Sequence, residues 1–212
     1  MSNEKVAAIT PPNLGWLEYK LDSQEIDYVW RCIKNKKEDA KHNLAGNITG
    51  SYSLLDRGDW FWNKTLSPLC NVYGKSFGKN LGEQVPINQH HQYYLNRWWV
   101  NYQRKNEVNP KHDHRGVYSF VIFMKIPISF KEQNKLPIAA NSNRPVASAF
   151  EFLYTNILGE LYEYKYELES EHEGYMLFFP SKLNHMVYPF YNCDEERITV
   201  SGNIVLNTMK RK

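Results

Sequence analysis

The residues best equipped for chemistry in this chain are three histidines and one arginine. His112 and His114 stand at i and i+2 in Asn109-Pro110-Lys111-His112-Asp113-His114-Arg115-Gly116, directly ahead of the apolar run 117–126. In extended backbone that spacing turns both imidazoles to one side. Neutral imidazole is a good ligand for first-row transition metals, so the pair makes half of a metal site. His185, in Phe178-Phe179-Pro180-Ser181-Lys182-Leu183-Asn184-His185, is the candidate for the other half, because a turn after Pro180 delivers it to the strand that begins there. Asp113 competes for the third position. Strand alternation points it away from its histidine neighbours, whereas a turn at Asn109-Pro110 swings it inward. Two ligand sets therefore stay open at this stage: three histidines, or Asp113 as the alternative ligand.

Arg197 offers a second kind of chemistry. Alternation along Arg197-Ile198-Thr199-Val200-Ser201 places Arg197, Thr199 and Ser201 on one strand face. An inward guanidinium is costly unless an anion pairs with it. Its planar fork binds a carboxylate through two parallel hydrogen bonds, which makes a dicarboxylate a natural partner. The competing reading puts Arg197 on an outer face, paired with Glu195 or another neighbour.

Strands must hold these groups. From Tyr93 onward the hydrophobic period is two, and it predicts strands at 93–103, 116–128, 147–154, 161–168, 175–179, 185–188 and 197–205. Asn101 and Tyr102, on the strand preceding the histidines, are candidates to line a pocket, with packing as an equal alternative. Ahead of the strands, Asp22-Ser23 caps a helix to about 37 with Ile26, Val29, Trp30 and Ile33 on its buried face. A second helix is predicted over 58–77, with Pro68 as an alternative marker of a start near Ser67. Residues 45–56 read as a loop or short strand. The sum is a mainly β (α+β) fold, a sandwich or barrel with a helical buttress. Its parts are an arm (1–20), a buttress (21–80) and a β core (81–212), forming one domain overall. The insert 130–145, rich in Asn, Lys and Pro, is expected to be a long mobile loop near one mouth of the barrel, where lids are often found. His90, His91 and the aromatic strand Tyr162 to Tyr166 are candidates for a substrate groove, with packing as the competing role.

Bulk properties exclude several classes. The chain has 212 residues, 42% hydrophobic and 23% charged, with 6 Trp, 15 Tyr and 10 Phe, the make-up of an aromatic-rich globular domain. A formal net charge of +3, spread along the chain, does not suggest a nucleic-acid surface. No apolar run approaches the length of a membrane span, and no signal-peptide pattern opens the chain. Cys32, Cys70 and Cys193 are far apart and unpaired in spacing, which suits reduced thiols and a cytoplasmic setting. Cys32 and Cys70 fall on apolar helix faces and read as core.

Several motifs together resemble a known family. They are Trp99-x-Asn101, Asn109-x-x-His112-x-His114, Tyr118-Ser119-Phe120-Val121-Ile122-Phe123-Met124-Lys125-Ile126-Pro127, Gly174-x-x-x-Phe178-x-Pro180-x-x-x-x-His185-x-Val187-x-Pro189, and Glu196-Arg197-Ile198-x-Val200-Ser201-Gly202-Asn203-Ile204. This pattern, over roughly 44–206, is similar to the 2-oxoglutarate/Fe(II)-dependent oxygenases encoded by tailed bacteriophages. The resemblance implies a prolyl-hydroxylase-like double-stranded β-helix, or jelly roll, with Fe(II), 2-oxoglutarate as co-substrate and O2. It makes His112 and His185 iron ligands, His114 the occupant of the usual carboxylate position, and Arg197 with Thr199 the anchor for the distal carboxylate of 2-oxoglutarate. The implied reaction hydroxylates an unidentified substrate, with protein side chains among the candidates, and releases succinate and CO2. The implied setting is a host cytoplasm or a virion. Two other readings compete. A cupin-type metal dioxygenase without 2-oxoglutarate matches the Pro180 to His185 spacing, but Tyr118 and Ser119 stand where its Glu belongs. A catalytically inactive jelly-roll binding or virion-associated protein would account for the missing carboxylate.

Overall fold

Alternating runs of apolar and polar residues become ten strands and three helices in the computed structural model, which describes residues 7, 11, 13–41, 44–78 and 91–208. In chain order these are β1 (Leu17–Lys20), α1 (Ser23–Lys34), β2 (Gly50–Ser53), α2 (Ser67–Phe77), β3 (Tyr93–Gln103), β4 (Asn109–His112), β5 (Tyr118–Lys125), α3 (Phe130–Gln133), β6 (Phe150–Thr155), β7 (Leu161–Tyr166), β8 (Tyr175–Pro180), β9 (Asn184–Val187) and β10 (Arg197–Leu206).

The helices form where capping and spacing ask for them. Asp22 accepts from the backbone N–H of Glu25, and the Glu25 carboxylate accepts from the N–H of Asp22, closing a capping box on α1. Glu25 is fully buried and also accepts from Tyr19 and Thr65, so the cap joins β1 and the approach to α2. The single helix expected over 58–77 is broken. Gly58 has φ 65°, and a π-type turn at Trp62–Leu66 precedes α2. Pro68 lacks an N–H and sits in the first turn of α2, so the break falls where proline is tolerated.

All the strand pairs are antiparallel, in two sheets. The larger has the order β1-β8-β5-β10-β3-β2 and the smaller β4-β9-β6-β7. Central β5 is buried on both faces. Tyr118, Phe120, Ile122 and Met124 pack toward α1 and α2 with Val29, Phe61 and Tyr73. Val121 and Phe123 face the smaller sheet and, together with Phe179 of β8, meet its Phe150 and Phe152. Two antiparallel sheets facing each other with interleaved connections make the jelly roll anticipated from the sequence, and the helices cover the outer face of the larger sheet. Three strands arise beyond the seven expected. β1 lies within the N-terminal arm, β2 is the short strand that 45–56 left open, and β4 lies at the His112 segment itself.

Cys32 and Cys70 are buried as expected, and burial pushes their thiols up to about 11 and about 12. Neither is a nucleophile at neutral pH. The insert 130–145 is anchored rather than free. Phe130 is buried, and Arg144 pairs with the buried carboxylate of Glu151 and with Glu163. Among the described residues no helix is long and apolar enough to cross a membrane. His90 lies outside the described residues.

Candidate metal centre

The site is built by one cross-strand pair and one turn. β4 and β9 pair antiparallel with His112 directly opposite His185, and their ring centroids are 4.3 Å apart. β9 also pairs with β6, placing His185 opposite Phe152, and its ring stacks on Phe150 at 5.6 Å. His114 lies just past β4, where its N–H donates to the carbonyl of Ser181 at 2.8 Å. That bond folds the chain so that the His114 ring stands 5.0 Å from His112 and 4.9 Å from His185, with Trp99 edge-on at 5.9 Å. The ligand atoms of the three histidines all lie within 4.8 Å of one another.

Asp113 does not join them. Alternation holds through this segment, so its carboxylate points out to Lys182 at 3.5 Å. The inward-turned Asp113 is thereby corrected, and the gathered set is three histidines.

The protonation of the cluster follows from its surroundings. Nδ1 of His112 is 2.7 Å from the Pro110 carbonyl, and Nδ1 of His185 is 3.0 Å from that of Leu183. A carbonyl only accepts, so each Nδ1 carries the proton and Nε2 keeps its lone pair for a ligand role. Burial lowers all three histidines. His114 falls to about 4, with His112 as a second cause, and His185 falls well below the usual value as His112 and His114 add to its burial. Three neutral nitrogen donors with no carboxylate suit Fe, Zn, Ni or Cu better than Mg or Ca. The donor set thus fits a first-row transition metal.

Arg197 opens β10, opposite Gln103 in β3, and is 1% exposed. Its Nε and Nη2 donate to Gln103 Oε1 at 3.0 and 2.6 Å, Nη1 to the Ser148 carbonyl at 2.6 Å, and Nη2 to the Tyr188 carbonyl at 3.0 Å. These acceptors are all neutral. Glu195 pairs with Lys125 and Glu196 with Arg104, so the outer-face reading of Arg197 is overturned. Burial pulls the guanidinium down to about 9, which leaves it charged at neutral pH. A fully buried cation whose hydrogen-bond acceptors are neutral oxygens, with the Phe190 ring 5.5 Å away, is a standing demand for an anion.

One cavity of about 1190 Å³ contains both features, lined by the three histidines, Arg197, Thr199, Asn101 and Gln103 among others. Asn101 is buried, and its Oδ1 accepts from Ser51 Oγ at 2.7 Å. Tyr102 is on the opposite face of β3, edge-on to Tyr52 at 6.0 Å with Lys36 over its ring, so the structure does not bring it to the cavity. His91 instead bonds the Asn207 carbonyl, and Tyr162 and Tyr164 are exposed on edge strand β7, so all three lie away from the cavity. Gln103 was not singled out as a site residue from the sequence. Its signal was its place on the same face of β3 as Asn101, two residues on.

Comparison with known proteins bears on the fold and the family. The solved structure of a prolyl-4-hydroxylase from Pseudomonas putida is similar with a TM-score of 0.51 at 15% identity, over 89% of this chain and 91% of that one. The viral collagen prolyl hydroxylase of Paramecium bursaria Chlorella virus-1 aligns with a TM-score of 0.48 at 13% identity, over 89% and 94%. At these identities the likeness concerns the fold. No curated protein gives a significant sequence match. The family model described as "Putative 2OG-Fe(II) oxygenase" matches residues 97–203, a stretch that begins in β3, takes in all three histidines and ends in β10 beyond Arg197. With just over half of its 212 residues matched, the chain belongs to this 2OG-Fe(II) oxygenase family.

Proposed function

We propose that the protein is a 2-oxoglutarate- and Fe(II)-dependent dioxygenase that hydroxylates a C–H bond of a second substrate and releases succinate and CO2. The observation that carries this reading is the buried Arg197 guanidinium, held without a carboxylate partner among the described residues, in the same cavity as three neutral histidines. A metal centre alone would not require that cation. A dicarboxylate that reaches the metal with one end and Arg197 with the other does.

Each residue then has a task. His112, His114 and His185 hold the metal, and the carbonyls of Pro110 and Leu183 fix two of the rings in the ligating tautomer. Arg197 and Thr199 bind the distal carboxylate, with Gln103 holding the guanidinium fork in place. Asn101, locked by Ser51, lines the same chamber. Phe150, Phe152 and Phe179 pack around His185 and exclude water from the inner side of the centre. The bound metal, 2-oxoglutarate and O2 supply the oxidising chemistry.

A protein side chain is the substrate class we put forward. The cavity is larger than a five-carbon dicarboxylate fills, and exposed residues such as Arg97 and Arg115 line its outer part, so it opens at the surface. The motif resemblance to phage-encoded enzymes supports action in a host cytoplasm. The absence of any carboxylate from the cluster separates the site from the cupin pattern. To test the activity, the protein is loaded anaerobically with Fe(II) and 2-oxoglutarate, air is admitted, and succinate is measured. Succinate release that depends on His185 and Arg197 is expected. A protein that takes up no metal, or one whose turnover is indifferent to Arg197→Ala, would refute the proposal.

A further inference from the structure

The carbonyls that hold Arg197 lie in segments 146–149 and 188–191, outside the regular strands. The two run side by side, with Ser148 N–H donating to the Pro189 carbonyl at 2.8 Å and Tyr188 N–H to the Ala149 carbonyl at 2.9 Å. Ser148 has φ 66°, a left-handed conformation that a residue with a Cβ adopts only when its surroundings impose it. Something must therefore hold both segments in place.

That support comes from the insert. Gln133, the last residue of α3, is buried, and its side-chain amide grips the backbone of Tyr191 at both ends: Nε2 donates to the carbonyl at 2.9 Å and Oε1 accepts from the N–H at 2.7 Å. The next residue does the same to the other segment. Asn134 Nδ2 donates to the Ala147 carbonyl at 3.1 Å, and Oδ1 accepts from the Ala147 N–H at 3.1 Å. Each primary amide thus replaces a missing strand neighbour, satisfying one donor and one acceptor. The platform is itself fixed. Ser129 caps α3, Phe130 is buried, and Phe130 N–H bonds the Leu168 carbonyl at 3.1 Å.

We propose that Gln133 and Asn134 are positioning residues: by clamping the two segments whose carbonyls aim the Arg197 guanidinium, they set how tightly the cavity holds the distal carboxylate of 2-oxoglutarate. This rests on the activity proposed above. The insert then acts as the outer brace of the co-substrate pocket. With Gln103, Ser148 and Tyr188 taking four of the five guanidinium N–H donors, one Nη1–H is left to meet the carboxylate, so a shift of the carbonyls that orient it weakens that contact without touching the metal ligands.

The test is calorimetric titration of 2-oxoglutarate into the full-length protein preloaded with Mn(II), a metal that needs no turnover to report binding. Gln133→Ala and Asn134→Ala are each expected to raise the dissociation constant for 2-oxoglutarate about tenfold, the equivalent of one net hydrogen bond lost from the pocket, while Mn(II) affinity stays unchanged. Lys135→Ala, which removes only the exposed pair with Glu132, is expected to leave both constants unchanged. If the alanine variants fail to fold, Gln133→Glu and Asn134→Asp keep the size and an acceptor oxygen, lose the donor, and carry the same expectation. Wild-type affinity for 2-oxoglutarate in the folded variants would overturn the inference alone. A wild-type protein that binds Mn(II) but no 2-oxoglutarate would bring down the proposed activity, and this inference with it.

Discussion

Replacing Arg197 by methionine separates what this residue does for folding from what it does for binding. Methionine has comparable length and no charge. The substitution removes a fully buried cation, whose desolvation costs several kcal/mol, and also four hydrogen bonds to Gln103, Ser148 and Tyr188. Bonds from a charged donor contribute about 1.5–3 kcal/mol each, which opposes the gain from removing the charge, so the ligand-free variant should lose stability yet still unfold cooperatively. Binding has no such offset. Loss of a desolvated charge pair costs about 2–5 kcal/mol, or roughly 30-fold to several thousand-fold in affinity for 2-oxoglutarate. Thermal unfolding reads both quantities. With Mn(II) present and 2-oxoglutarate at about 100 times its dissociation constant, the wild type gains about 2.7 kcal/mol, a rise in Tm of about 5–11 °C for a chain of this size. At the same concentration the variant should gain less than about 1 kcal/mol. The reasoning fails if Arg197→Met keeps the full ligand-induced shift. It also fails if the ligand-free variant no longer unfolds cooperatively, since the buried charge would then be a structural necessity.

Three further outcomes follow from the geometry. His114→Ala, which leaves two ligands, should abolish stoichiometric metal uptake, whereas Asp113→Asn, which removes only an exposed carboxylate facing Lys182, should leave metal content unchanged; elemental analysis after gel filtration decides. Tyr102→Phe should leave 2-oxoglutarate affinity at the wild-type level, because the hydroxyl is on the helix-facing side of β3; titration with loss of affinity would refute that placement. Phe152→Ala removes a fully buried ring that lies 4.7 Å from Trp16 and 5.0 Å from Phe179 between the sheets. It should destabilise the protein by about 3–5 kcal/mol in chemical denaturation, and a loss below about 1 kcal/mol would show that this core is not where the sheets are held together.

Local pattern made much of the fold legible. Period-two alternation located β3 at its observed bounds, and the Asp22-Ser23 capping pair marked the start of α1. The misses share a cause. β1 and β4 are strands of four residues whose extended state depends on a partner elsewhere in the chain, β8 and β9. So short a segment carries too little pattern to declare itself. The insert looked mobile because its composition is that of a loop. Its order comes from single side chains, Phe130, Gln133, Asn134 and Arg144, that reach distant backbone or a buried acid, and composition does not register them.

At the site the division is sharper. Alternation alone placed His112 and His114 on one side, with Asp113 opposed unless a turn swung it inward, and Arg197 and Thr199 on one side of another strand, because side-chain direction along a strand is a local property. Two facts needed tertiary structure. One is that His112 and His185 are cross-strand partners, which only the long-range pairing of β4 with β9 creates. The other is that Arg197 is inside and surrounded by neutral oxygens. Burial and the lack of a counter-ion depend on segments brought in from β3, from the stretch after the insert and from the end of β9, and only the closed jelly roll assembles them around one guanidinium.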